Sequence, residues 1–309
     1  MKAMFVWVVE LLRSQLTKNK SMNKSKKLTF NKKILNNAIK INVLAAIKED
    51  LKNNDKSSNI LPIKTKGIAK ILAKQNAILC GSPWVNYCFN RIDKNIKVRW
   101  HFDEGSKIKN GDEICTISGN YNRILMGERI AINFLQTLSG TASTANMMNL
   151  KIRRYKAKLF DTRKTIPGLR VAQKYAVQIG GAFNQRFGLY DKVLIKENHI
   201  KSIGGVTEIL KIAKKKYSLK EIQIEVENLS EFKEAIDLGA RNILLDNFSL
   251  KNLKKAVQIN KMGALLEASG DIGINNIVDY AKTKVDRISM GALTKNIKSV
   301  DFTMFMEIK

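Results

Sequence analysis

From residue 158 onward the sequence repeats one unit. Short apolar runs, "AKLF", "KVLI", "IQIEV", "NILL", "ALLE" and "RISM", are separated by helical or loop segments. Two of the intervening segments are plainly helical: "LSEFKEAIDLGA" is amphipathic and closed by Gly239, and "GGVTEILKIAKKK" starts after Gly205. Strand, helix, strand at this period means βαβ units on a parallel sheet. The number of repeats, without a GxGxxG turn, favours an α/β barrel over a doubly wound sheet.

In such barrels the chemistry is built at the carboxyl ends of the strands. Here each run ends in polar or small residues. "AKLF" leads into Asp161, Thr162, Arg163 and Lys164, and "KVLI" into Lys196, Glu197 and Asn198. "IQIEV" leads into Glu227 and Asn228, and "NILL" into Asp246 and Asn247. "ALLE" closes on Glu267 and runs into Ser269 and Gly270, and "RISM" is followed by Gly291 and Ala292. A single end of this kind, such as "DTRKTIPGLR", reads as a solvated turn. Six in register do not.

The strand ends separate by chemistry. Arg163, Lys164, Arg186 and Lys196 are cations suited to carboxylates or phosphates, and arginine grips a carboxylate as a bidentate fork. Glu227 and Asp246 suit sugar hydroxyls or a magnesium ion. Ser269–Gly270 and Gly291–Ala292 are small enough for backbone N–H groups to approach a phosphate. Together they describe a pocket for an acidic small molecule and a phosphorylated sugar.

Upstream the pattern differs. Residues 1–33 read as a flexible basic extension, rich in Lys, Asn and Ser after a short apolar start. That start is interrupted by Glu10 and has no cleavage site, so it reads as neither signal peptide nor membrane span. Ile39, Val43 and Ala46/Ile47 share a helical face. "GIAKILAKQNAILCG" and "IKVRWHF" alternate as strands, and Asn110 and Gly111 mark a hairpin, giving an α+β region with an antiparallel sheet. "RILMGERIAINFLQTLSG" is a helix carrying Leu125, Ile132 and Leu135/Leu138 on its apolar face. Arg129 on it pairs within the helix with Glu128 or reaches a substrate.

Of 309 residues, 44% are hydrophobic, enough for a large core. Three cysteines without a CxxC pair argue against a disulfide framework and for a reducing, cytoplasmic setting. The two histidines, His101 and His199, belong to no zinc-spaced cluster. The net charge of +28 would attract polyanions. Its lysines are spread along the whole chain, as in compositional drift, and no RNA-binding signature accompanies them. No membrane and no specific nucleic acid partner is expected.

"DTRKTIPGLR", "KYAVQIGGAFNQRFGLYDKVLIKENHI", "IEVEN", "LLDNF", "LLEASG" and "MGALT" closely resemble quinolinate phosphoribosyltransferase, the carboxylating nicotinate-nucleotide pyrophosphorylase family. "LCGSPW", "GERIAINFLQTLSGTAS" and "IKED" fit too, so the resemblance spans roughly residues 35 to 309. It implies an N-terminal α/β sandwich over 34–131, with 303–309 joining it, and an incomplete α/β barrel over 132–302. It implies that quinolinate and phosphoribosyl pyrophosphate give nicotinate mononucleotide, pyrophosphate and CO2, with Mg2+, in de novo NAD synthesis. It also implies a homodimer in which Arg129 reaches the partner's site. Carried over by motif, Arg163, Lys164, Arg186 and Lys196 hold the carboxylates, with Thr162 nearby. Glu227 and Asp246 face ribose and magnesium, directly or indirectly. Ser269, Gly270, Gly291 and Ala292 hold phosphate, with Glu267 nearby. Lys164, Glu227 and Asp246 are the candidate catalytic residues.

The chain departs from the family pattern at Gln185, where Asn-His-Arg is usual, and at Ala182, where a third glycine is common. "EDLKNND" also lacks the usual glycine. Gln185 can still donate a hydrogen bond to substrate but carries no proton or charge. Two alternatives stand beside the main reading. One is a paralogue using another acceptor, such as a nicotinate-specific or molybdenum-transport-associated member. The other is a basic nucleic-acid-binding protein on a degenerated enzyme scaffold.

Overall fold

A computed structural model describes residues 31–308 apart from 53–54, 58–59 and 61–64. Most of the expected basic extension lies outside the described residues. Its last two residues do not belong to an extension: helix α1, Lys32–Asp50, begins there, with the Asn31 side chain accepting from the Lys33 N–H at 2.9 Å. Ile39, Asn42 and Val43 form its buried side.

The N-terminal unit contains β1 (Lys66–Ala73), β2 (Ala77–Ile78), α2 (Ser82–Ile92), β3 (Lys97–Trp100), β4 (Lys107–Ile108) and β5 (Glu113–Asn120). After it come α3 (Tyr121–Ile152) and the barrel elements: β6 (Lys158–Phe160), α4 (Arg170–Ile179), β7 (Val193–Ile195), α5 (Glu197–Ile203), α6 (Val206–Lys216), β8 (Ile222–Val226), α7 (Leu229–Asp237), β9 (Asn242–Asp246), α8 (Leu250–Ile259), β10 (Leu265–Ser269), α9 (Ile277–Lys282), β11 (Arg287–Ser289) and α10 (Ala292–Lys295). Strand β12, Phe302–Ile308, returns to the first sheet, whose order is β12-β1-β5-β3, all antiparallel. Residues Ala69, Ile71 and Ala73 of β1 point into a core shared with Val85, Phe89, Ile124, Ile132 and Leu135 of the two helices above.

Six strands form one parallel sheet in the order β6-β11-β10-β9-β8-β7. The first strand in the chain bonds to the last, which is the winding of a barrel and not of an open sheet. The ring is interrupted between β6 and β7, where Phe183 adds a single parallel bridge to Phe160. Ile222, Ile224 and Val226 of β8 face the helices and pack with Phe232, Ala235 and Ile236, so Gln223 and Glu225 face the interior.

Helix α3 is 32 residues long and passes without a break through residue 131, so a single helix serves both units. A third cluster, including Val43, Trp84, Phe134, Ala172 and Ala176, joins α1 to α4. Asn42 of α1 donates to the Gly168 carbonyl at 3.0 Å and accepts from the Trp84 indole N–H at 3.3 Å. The N-terminal region thereby braces the loop after β6. Cys80, Cys88 and Cys115 are buried free thiols. Among the described residues no helix is long and apolar enough to cross a membrane.

Candidate active site

The loop after β6 and the stretch 184–187 meet at the mouth of the barrel. Arg163 and Arg186 lie close enough for each to oppose the other's charge, and Arg186 is 9% exposed. Burial and then Arg163 lower the proton affinity of the Arg186 guanidinium. Arg186 donates to the Lys192 carbonyl at 3.0 Å, while the buried Nε of Arg163 has no hydrogen-bond partner. Two crowded guanidiniums with an unanswered donor describe an anion site. Arg170 is different. It donates to the Thr165 hydroxyl and to the Phe187 and Arg163 carbonyls, and so clamps the loop.

Lys164 is exposed, and its backbone N–H donates to the Thr162 hydroxyl at 3.1 Å. Its side chain crosses Gly291, where an added Cβ would sit 2.9 Å from the Lys164 Cδ and 3.5 Å from Thr162 Oγ1. The ends of β6 and β11 are thus packed against each other, and Thr294 of α10 donates to the Lys164 carbonyl at 2.7 Å. Ala292 opens α10, half-buried beside Gly291. Across β9 and β10, Gly270 has φ +110°, and a Cβ there would meet Asn247 Oδ1 at 2.3 Å. Asn247 in turn donates to Asp246 Oδ2 at 2.8 Å. Ser269, Gly270, Asp246 and Asn247 therefore form one tight corner of the mouth.

Lys196 pairs with Glu225 at 3.4 Å. Glu225 is 7% exposed, and burial pushes its carboxyl up to about 7. Lys196 pulls against that shift, while a hydrogen bond with Glu197 and the charge of Asp246 add to it. Glu227 stands one pleat further out, half exposed, 3.9 Å from Lys201, with its N–H donating to Glu231. The strand-end reading points to Glu227, whereas the glutamate that meets Lys196 is Glu225. Side chains alternate along a strand, so Glu225 and Glu227 share a face, but only the former lies deep enough to meet Lys196 and Asp246. The run "IQIEV" carried the signal, since an acidic residue in an apolar strand needs a partner.

Two further residues point from the mouth toward the barrel interior. Glu267, expected near phosphate, is 1% exposed in the middle of β10. It accepts from Gln185 Nε2 at 2.5 Å and from Gln223 Nε2 at 3.0 Å, and Arg287 lies 4.0 Å away. Because β8 and β10 are separated by β9, these side chains meet across the barrel interior and form its floor. Gln185, expected to touch substrate, is held at both ends of its amide, its Oε1 accepting from the Arg186 N–H at 3.2 Å. His199 caps α5, its Nδ1 accepting from the Lys196 N–H at 2.9 Å.

Arg129 is exposed on α3, and among the described residues it makes no ion pair, with Glu128 or otherwise. Asp161, Lys174, Asn184 and Gln223 complete the framework and were not singled out as ligands of one another. Nothing in a sequence shows that a lysine in an amphipathic helix will be fully buried.

A parallel barrel whose mouth crowds cations together beside carboxylates is a protein built to hold an anionic substrate next to a polar one. The family description "Quinolinate phosphoribosyl transferase, C-terminal domain" matches residues 141–305, and its N-terminal counterpart matches 55–139. The chain belongs to the quinolinate phosphoribosyltransferase family. A probable carboxylating nicotinate-nucleotide pyrophosphorylase of Methanocaldococcus jannaschii is 40% identical over 260 residues, 80% of this chain and 89% of that one. The Bacillus subtilis counterpart is 34% identical over 83% of this chain and 89% of its own length. The structure of the Francisella tularensis nicotinate-nucleotide pyrophosphorylase is similar with a TM-score of 0.86 and 41% identity, covering 92% of this chain and all of that one.

Proposed function

We propose that the protein transfers the phosphoribosyl group of phosphoribosyl pyrophosphate to quinolinate with loss of CO2, yielding nicotinate mononucleotide and pyrophosphate in NAD biosynthesis. The observation that carries this reading is the Arg163–Arg186 pair: the buried Arg186 is crowded by the half-buried Arg163, whose buried Nε has no hydrogen-bond partner. Bringing two anionic substrates together opposes binding by on the order of 4 kcal/mol per unit-charge pair in a partly screened site. The guanidiniums, with Lys164 and Lys196, offset that repulsion and aim the ring nitrogen at the anomeric carbon.

The nitrogen lone pair forms the new C–N bond as the bond to pyrophosphate breaks, and pyrophosphate leaves with the electrons. Positive charge developing on the ribose is stabilised by Glu225 and Asp246, with Glu227 at the rim. The quaternised ring then accepts the electrons of the C–CO2 bond, CO2 departs, and the ring carbon takes a proton. The small residues at the ends of the neighbouring strands β10 and β11, Ser269 and Gly270 on one and Gly291 and Ala292 on the other, are suited to phosphate.

Among the described residues no group of three His, Cys, Asp or Glu could hold a metal ion alone. That fits Mg2+, which is bound by one or two carboxylates together with substrate phosphates. Glu225 and Asp246 would hold it, and it would neutralise charge on the departing pyrophosphate. The exposed position of Arg129 supports a homodimer in which it enters the partner's mouth, and nothing in the sequence marks a membrane or nucleic acid partner for this cytoplasmic activity. The direct experiment supplies phosphoribosyl pyrophosphate and Mg2+ with quinolinate or nicotinate and measures nucleotide and CO2. Nucleotide from quinolinate is expected; none from quinolinate overturns the reading, and nucleotide from nicotinate alone supports the paralogue.

A further inference from the structure

Behind the anion pocket lie two side chains of opposite charge, Asp161 and Lys174, each with no exposure at all. Their atoms are 2.5 Å apart. Asp161 also accepts from Asn184 Nδ2 at 2.6 Å and from the Gln185 N–H at 2.8 Å. Lys174 donates as well to the Gln185 carbonyl at 2.9 Å, and its ammonium lies 5.2 Å from the centre of the Phe187 ring. Burial pushes the Asp161 carboxyl up and the Lys174 ammonium down, each opposed by its partner. Arg170 and Asp191 are the other charges that act on Lys174.

Stability alone is a poor reason for such a pair. Desolvating two charges offsets most of their attraction, and an apolar pair of similar volume often serves as well. The position of the pair supplies another reason. Asp161 is two residues from Arg163, and Gln185 is next to Arg186. The pair ties together the two chain segments that present the guanidiniums. If Lys174 were lost, a buried carboxylate would remain two residues from Arg163 and bonded to the N–H of the residue before Arg186, and a guanidinium would be drawn inward to neutralise it. The pocket would lose a cation and gain a negative charge behind it.

We infer that Asp161 and Lys174 are positioning residues for the dicarboxylate subsite: each answers the other's buried charge, which keeps Arg163 and Arg186 free for the substrate. This deepens the proposed function and rests on its assignment of that subsite.

The test measures binding of phthalate, a benzene dicarboxylate shaped like quinolinate but without the ring nitrogen, and of phosphoribosyl pyrophosphate, by calorimetry on the full chain. Lys174→Met and Asp161→Asn are each expected to weaken phthalate binding by about tenfold or more, as stranding one partner of a buried pair is the disruptive change. Binding of phosphoribosyl pyrophosphate should stay within about threefold, and the double variant Asp161→Asn/Lys174→Met should recover phthalate binding to within about threefold of wild type. Equal loss of both ligands, unchanged phthalate binding in the single variants, or a double variant as weak as the worse single overturns the inference. Should a single variant fail to fold, Asn184→Ala removes a donor from Asp161 without stranding a charge, and selective loss of phthalate is again required. Turnover of quinolinate by the wild type tests the reaction itself, whereas the variant-to-wild-type affinity ratio tests the pair.

Discussion

The side-chain amide of Gln185 donates from Nε2 to both carboxylate oxygens of Glu267, each at 2.5 Å. A residue expected at the substrate is thereby turned to the barrel floor. An imidazole at 185 would meet the same buried carboxylate, which favours the protonated ring. Gln185→His is therefore expected to equal or exceed the wild-type turnover of quinolinate, most clearly at lower pH where the ring is charged. A drop of more than about tenfold in kcat/KM, a loss of 1.4 kcal/mol, would contradict this.

Glu225 carries the pH dependence. Its carboxyl, ordinarily near 4.5, is pushed up to about 7 by burial. A carboxyl raised in the folded state stabilises the fold below its unfolded value, and that contribution is lost as pH rises through the folded value. The protein without substrate should lose thermal stability between about pH 4.5 and 7 from this group. Glu225→Gln should flatten that trend in melts at pH 5 and pH 8. It should also remove an acidic limb near pH 7 from the wild-type kcat/KM profile, which reports the free enzyme, and lower kcat by about a hundredfold, in the range of lost electrostatic stabilisation. An unchanged profile would reassign the role to Glu227.

Gly291 and Gly270 separate function from stability. A methyl group at 291 meets the flexible Lys164 side chain, whereas one at 270 meets both the side-chain oxygen and the backbone of Asn247 at a φ of +110°. Gly291→Ala should raise KM by about threefold or more with Tm shifted by no more than about 2 °C, because a long side chain yields easily. Gly270→Ala should cost about 1–3 kcal/mol of stability, since its strain resides in the backbone. Urea unfolding and steady-state kinetics on both variants check the contrast.

Arg129 offers a test of assembly. If Arg129→Ala and Lys164→Ala are each inactive, a mixture reassembled from equal parts should recover about a quarter of wild-type activity, because half of a two-fold dimer population is hybrid and each hybrid holds one intact site. A mixture that stays inactive after verified subunit exchange would place Arg129 outside the partner's site.

The barrel was legible because its strands are short apolar runs at a regular spacing, and each ends in polar residues that apolar packing cannot explain. Depth was harder to read. Glu225 lies inside the run "IQIEV", while Glu227 follows it, and only the packed barrel shows which one meets Lys196. The seventh parallel position, Phe183, makes a single bridge and has no run to announce it. Asp161 was visible as the first residue of a charged loop, but Lys174 sits on a helix whose sequence does not reveal the partner thirteen residues earlier. Gln185 was read through the family's usual histidine, and its turn toward Glu267 depends on side chains from two distant strands.

Strand β1 lies between β5 and β12 in the first sheet, with Ala73 paired to Phe302. During synthesis β1 and β5 leave the ribosome long before β12 exists. One edge of β1 must therefore wait, unpaired, while the whole barrel is translated. The sheet is completed only when residues 302–308 emerge, so the unit whose sequence comes first cannot finish its own sheet until the barrel has been translated.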